Sequence, residues 1–285
     1  MKKRIIFLLI MVIYVNLAAI FDDYEPSPRA RGMGGAFIAI SDDQMAVFYN
    51  PAGLSEVGSG VTAAYTRVFG NEFQVLNAIG FSYELPGRFG TFGLGLESLD
   101  VNYLEINLMS EKTYNISHAI LLLDGLNKIS LGYSLNIFSL DMDSFGNETA
   151  LGVDLGILTV LKEHFRAGFT VRNLNSPCFG EGGQENLAQK LEAGIAYYLY
   201  QDVVTALELK KSYGSGGIEG DKTEFHFGTE FKVHELLTLR CGVSNYPVSF
   251  SLGAGFNLLD MVLDYGYNTH LVLGSTHHFG LKYKF

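Results

Sequence analysis

The sequence predicts an all-β protein: an antiparallel transmembrane β-barrel of about 14 strands with an N-terminal segment folded into its lumen. Three observations point there. From Val61 onward, apolar residues alternate with polar or small ones, and turn signals recur roughly every 12 to 20 residues. The chain is 48% hydrophobic, with positive mean hydropathy, yet no run approaches the ~18 apolar residues of a spanning helix. It also ends on an alternating aromatic strand, with Phe279, Leu281, Tyr283 and Phe285 on one face and His278, Gly280, Lys282 and Lys284 on the other.

At the N-terminus, Lys2, Lys3 and Arg4 precede the apolar run Ile5 to Val15 and the small pair Ala18-Ala19. That is the layout of a secretory signal peptide, so residues 1–19 are expected to be removed on export. The apolar run, about 11 residues before Asn16, is too short for a span of about 20. No Cys follows it to carry a lipid. Without the three basic residues the formal charge falls from −10 to −13, and a chain so acidic is not expected to bind nucleic acid.

Residues 20–60 are read as a plug and 61–285 as the barrel wall, together one domain. Within the plug, the stretch Ala30 to Leu54 lacks the two-residue period. Gly32, Gly34 and Gly35 flank Met33 and allow close backbone approach, while Asp42 and Asp43 could cap about one helical turn before Asn50-Pro51 breaks it. Met45, Val47 and Phe48 supply an apolar side.

Strands are expected at 61–69, 73–85, 90–99, 112–122, 127–138, 149–160, 165–172, 189–199, 203–211, 223–233, 237–244, 248–257, 261–268 and 276–285. In the fifth, Ile129, Leu131, Tyr133, Leu135 and Ile137 oppose Lys128, Ser130, Gly132, Ser134 and Asn136. A soluble sandwich would alternate too. The spacing of about 16 residues per strand and connection suits a membrane barrel, and the longer links, 100–111, 139–148, 173–188, 212–222 and 269–275, all follow odd-numbered strands. Lipid offers no partner to backbone amides, so such a sheet must close, with outer-membrane lipid as its first partner.

The face opposite the apolar one carries Gly93, Gly95, Gly152, Gly156, Gly253 and Gly255, together with Glu97, Asp154, Arg166, Arg172, Glu192, Glu208, Lys210, Glu230 and Lys282. The glycines leave room for the N-terminal segment or a ligand, and the charges are expected to pair across the lumen. The seven His residues, among them His226, His234 and the His277-His278 pair, show no metal-ligand spacing. No Gly-x-Ser-x-Gly elbow is present. Neither a metal, a cofactor nor enzymatic activity is expected. Cys178 and Cys241 make no disulfide framework, and spacing leaves open whether they pair.

The Gly-rich start, the acidic pair and Asn50-Pro51-Ala52-Gly53-Leu54 resemble the N-terminal hatch of FadL-type outer-membrane proteins, in particular the PorV/PorQ branch. The run Val171 to Pro177 at a strand exit extends the resemblance, and Phe279, Leu281, Tyr283 and Phe285 resemble the C-terminal assembly signal of bacterial outer-membrane barrels. The resemblance implies an outer-membrane location and a hatch closing the lumen. It also implies one of two roles: binding or passing hydrophobic small molecules, or acting as a non-catalytic partner of a protein-secretion machine.

Overall fold

The computed structural model describes residues 21, 24–104, 106–142, 146–180, 185–200, 202–214 and 221–285. The expected export signal, 1–19, lies outside them. Fourteen strands close into one antiparallel barrel: β1 (Gly60–Arg67), β2 (Gln74–Glu84), β3 (Thr91–Tyr103), β4 (Ile106–Leu123), β5 (Asn127–Met142), β6 (Gly146–Leu161), β7 (Phe165–Arg172), β10 (Gln189–Tyr200), β11 (Val203–Tyr213), β12 (Lys222–His234), β13 (Leu237–Asn245), β14 (Val248–Leu258), β15 (Met261–His270) and β16 (Gly274–Lys284). Two short strands, β8 (Cys178–Phe179) and β9 (Glu185–Asn186), form a separate hairpin between β7 and β10. Closure comes from β1 pairing with β16 over its whole length, from Gly60 opposite Lys284 to Arg67 opposite His277. Every wall strand thereby gains a partner on each side, which hydrocarbon surroundings require.

Side-chain parity separates the two faces. On β5, Tyr133 and Leu135 are exposed on the outside, whereas Ser130, Ser134 and Asn136 are buried inside. The outward apolar run Ile129 to Ile137 covers about 27 Å along the strand, or roughly 20 Å along the axis at a tilt of about 40°. That approaches the band of about 25 Å typical of outer-membrane barrels. The C-terminal residues Phe279, Leu281, Tyr283 and Phe285 all face outward and are exposed, and the Phe285 amide donates to the Ser59 carbonyl at 3.3 Å.

Both ends of the wall lie at one rim with the short turns, and the longer connections lie at the other, hereafter the loop end. Two expected loops are largely strand. Within the expected loops 100–111 and 139–148, β3 runs on to Tyr103, β4 starts at Ile106, β5 runs on to Met142 and β6 starts at Gly146. At the edge of the band the outward residues turn polar, with Ser98, Asp100, Lys112, Ser139 and Asp141, which interrupts the apolar pattern before Tyr103, Ile106 and Leu108 at the far end of β3 and β4. Backbone pairing does not depend on that pattern and runs on beyond it. The expected loop 173–188 contains the β8–β9 hairpin, whose Phe179 packs with Leu187 against Phe138, Leu140 and Ala150. Cys178 is exposed on this hairpin, and Cys241 faces outward on β13. The two are unpaired.

Candidate functional site

The lumen holds the N-terminal segment. Ser27 caps a short helix, α1 (Pro28–Gly32), accepting from the Ala30 amide, and Pro28 lies in its first turn. Asp43 accepts from the Met45 amide to open a 3-10 turn, Gln44–Phe48. Asn50-Pro51 ends that turn, as the sequence suggests, but also begins another, Pro51–Glu56, in which the Asn50 side chain accepts from the Ala52 amide at 3.1 Å. The core cluster here includes Met33, Phe37, Ile38, Ile40, Met45, Val47, Phe48 and Leu54, each buried large side chain contributing about 1.5–3 kcal/mol relative to exposure.

Wall glycines receive this segment. An added Cβ on Gly93 would meet Leu54 and Val47, and one on Gly95 would meet Phe48. On Gly156 it would meet Asn50 and Pro51, and on Gly132 the backbone of Pro51 and Ala52. Across the lumen, Gly32 lies on Gly253, and Gly34 on the backbone of Gly242 and Val243. Gly34 and Gly35 adopt φ of 66° and 90°, which a side chain would resist. Gly152 and Gly255 serve otherwise, facing Phe138 with Pro177, and Arg240 with Asp264.

Charge fixes the first half of the segment. Arg29 grips Glu230 on β12 through two bonds, Nε to Oε2 at 2.9 Å and Nη2 to Oε1 at 3.0 Å, and pairs with Asp42 and Asp43. Glu230 also accepts from Arg240 Nε at 2.6 Å, and Arg240 Nη1 continues to Asp264 at 2.6 Å. The result is a buried network of two guanidiniums and four carboxylates, with Arg166 lying 3.9 Å from Asp42. Burial opposes the Arg29 charge, but Asp42, Glu230 and Asp43 outweigh it and hold its pKa well above the ordinary value. Burial alone would raise Asp42, yet Arg29 and Arg166 bring its carboxyl below the usual range. For Asp43 burial dominates and pushes the carboxyl up.

Further luminal contacts come from Glu208, whose Oε2 accepts from the amides of Phe37 at 2.8 Å and Ile38 at 2.9 Å. His226 Nδ1 donates to the Gly34 carbonyl at 2.7 Å. Asn50 Nδ2 donates to the carbonyls of Ile38 and Ile157 at 3.0 and 3.2 Å. The structure thus brings Gly32, Met33, Gly34, Gly35, Asp42, Asp43, Met45, Phe48, Asn50 and Pro51 together in one luminal body, with Phe279 to Phe285 outside it. Sequence reasoning passed over Arg29, Arg240, Asp264 and Gln44. Inward parity on β13 was the available signal for Arg240, and nothing local marks Arg29.

Above this body, toward the loop end, lies a small cleft of about 50 Å³. Phe21, Tyr24, Phe48, Leu99, Phe138 and Leu187 give it apolar surface, and Glu97, Glu111, Arg172 and Lys190 give it charge. Phe21 occupies part of it, stacked on Phe179 at 5.4 Å and edge-on to Phe138 at 5.1 Å, with its amide donating to Glu111 at 3.0 Å. Among the described residues, no group of three or more His, Cys, Asp or Glu is placed to hold a metal ion.

A family model described as the F plasmid transfer operon TraF protein matches residues 125–253, a stretch of wall that excludes the luminal segment. No curated protein matches the chain. Among solved structures it is similar to the Ralstonia pickettii toluene transporter TbuX, at 14% identity over 91% of this chain and 98% of that one, with a TM-score of 0.69. The CymD monoaromatic hydrocarbon channel is similar at 15% identity, 91% and 97% coverage and a TM-score of 0.69. A Pseudomonas aeruginosa FadL homologue follows at 11% identity, 91% and 98% coverage and a TM-score of 0.65. At such identities the likeness concerns the fold, which is that of the FadL-like barrels.

Proposed function

We propose that this protein is an exported, non-enzymatic outer-membrane barrel of the PorV/PorQ branch that binds or passes hydrophobic small molecules. Residues 1–19 act as its signal peptide and residues 20–60 as its plug. The observation that carries this reading is the part-apolar cleft beside the N-terminal segment packed in the lumen. The fold shared with TbuX and CymD, a toluene transporter and a monoaromatic hydrocarbon channel by name, supports it. An apolar ligand would take the place of the Phe21 ring between Phe138 and Phe179, gaining the same ring contacts. The aromatic C-terminal strand, ending at Phe285, serves as the assembly signal.

Binding of an environment-sensitive fatty or aromatic fluorophore to purified protein tests the reading. Saturable binding is expected, weakened at least tenfold by Phe138→Asp. No saturable binding, or binding indifferent to that substitution, contradicts it.

A second reading is favoured by the density of contacts closing the lumen and by the wall that β3–β6 raise beyond the apolar band. It makes the protein a non-catalytic component of an envelope secretion or assembly machine, contacted through 173–188 and 212–222. The match to a plasmid-transfer protein model over the wall is in keeping with it. Crosslinking from those loops in intact envelopes decides: one abundant protein partner supports this role, and none contradicts it.

A further inference from the structure

On the outer wall near the loop end, the apolar surface is interrupted where β1, β15 and β16 meet. Arg67, the last residue of β1, lies directly opposite His277 of β16, which lies opposite Tyr267 of β15. One step toward the other rim, Tyr65, Phe279 and Tyr265 form the next row. Their neighbours Thr66, Gly266 and His278 are buried on the luminal side, so parity places all six on the outside, where Arg67 and His277 are exposed. A cation on the lipid-facing wall is costly at mid-membrane and nearly free at the interface. Arg67 ends its strand, which puts it at the interface.

The hydrogen bonds within the patch define what it offers. Arg67 Nε donates to the Tyr65 hydroxyl at 3.1 Å, so that hydroxyl keeps its own proton to donate and the guanidinium keeps both terminal nitrogens. The Tyr265 hydroxyl and His277 Nδ1 lie 2.7 Å apart. With the hydroxyl donating, the neutral ring carries its proton on Nε2 and is a donor as well. Tyr267 packs edge-on to His277 at 5.4 Å and adds a further hydroxyl. The acidic neighbour is Glu72, within electrostatic range of Arg67 at the β1–β2 turn. A permanent cation ringed by several donors at membrane-interface height suits an anion rich in acceptors.

We infer that Arg67 and His277, framed by Tyr65, Tyr265 and Tyr267, bind the phosphate of a phosphorylated membrane lipid against the outside of the barrel. The site is separate from the luminal cleft and does not depend on what passes through the lumen. The acyl chains of such a lipid would lie along the outward side chains Phe279, Leu281 and Ala63, which descend the same strands.

The test uses the full barrel in detergent, with native mass spectrometry counting bound diphosphoryl lipid A and its dephosphorylated form. Heat-modifiable gel migration confirms that each variant is folded. Wild type is expected to retain the phosphorylated lipid at least tenfold more tightly than Arg67→Gln/His277→Gln, with the dephosphorylated lipid bound equally weakly by both. Lys211→Gln, on the distant β11, should bind as wild type. Equal retention of the phosphorylated lipid by wild type and the double variant overturns the proposal, as does displacement by an equal concentration of inorganic phosphate.

Discussion

The two halves of the luminal segment share close approach to wall glycines and differ in charge. Residues 27–43, lodged against β7 and β10–β16, combine close approach, Met33 to Gly228, Gly34 to Gly242 and Ile38 to Gly168, with a charge network: Arg29 to Glu230, Asp42 and Asp43, and Glu208 gathering two amides. Residues 44–57, lodged mainly against β1–β6, are fixed by close approach to Gly93, Gly95, Gly132 and Gly156 and by neutral contacts such as Gln44 with Thr62 and Ser82, with charge entering only at Glu56, which pairs with Lys128 and Arg166. The second half runs directly into β1, and the first is joined to the wall only through it. Charge networks respond to pH and to the loss of one partner, whereas a fitted backbone does not. The difference makes the first half the part that can be released while the second stays seated.

The largest effect should come from breaking the fitted half. In Gly132→Leu the new side chain would occupy the space of the Pro51–Ala52 backbone, a clash expected to exceed ~4 kcal/mol. Chymotrypsin should then cut at Phe48 or Tyr49 in the folded barrel, where wild type resists. Next comes Glu230→Ala, which leaves two buried guanidiniums short of a shared carboxylate, at a cost of roughly 3–5 kcal/mol. Trypsin should gain access at Arg29 and Arg31 while Phe48 stays protected. If both proteases gain equally in either variant, the halves are not separable.

Asn50→Ala should cost less, about 1–2 kcal/mol, by removing a turn cap together with donors to two carbonyls. Urea unfolding in lipid measures it. Acid should have the smallest effect. The lowered Asp42 contributes stability above the ordinary carboxylate value of 3.8, and that contribution is lost as pH falls through its lower folded value. Asp43, raised from the same value, acts in the opposite sense, losing stability as pH rises through its raised value. Hydrogen exchange at residues 29–43, corrected for the intrinsic rate, should therefore change little between pH 7 and pH 4 and rise only below that.

The same contrast explains what could be read from the chain. Wall strands announce themselves because a lipid-facing side chain and a luminal one must alternate, so the fourteen strands and the outward Phe279 to Phe285 were visible. Where the wall leaves the apolar band, at Asp100 or Ser139, the outward signal disappears though the ladder continues. The fitted half was partly legible, since Gly93, Gly95 and Gly156 at inward positions signal something close by. The charged half was not, because Arg29 meets Glu230 across some two hundred residues and only barrel closure sets which strand faces which. Asp42 and Asp43 looked alike as caps, and only Asp43 serves as one.

The central proposal is that the luminal segment closes the barrel and that its charged half is the releasable latch. Single-channel recording in planar bilayers of wild type against Glu230→Ala tests it most directly. Wild type is predicted to be closed with rare openings, and the variant to open at least ten times as often. Equal conductance of the two, whether both open or both silent, would contradict the account.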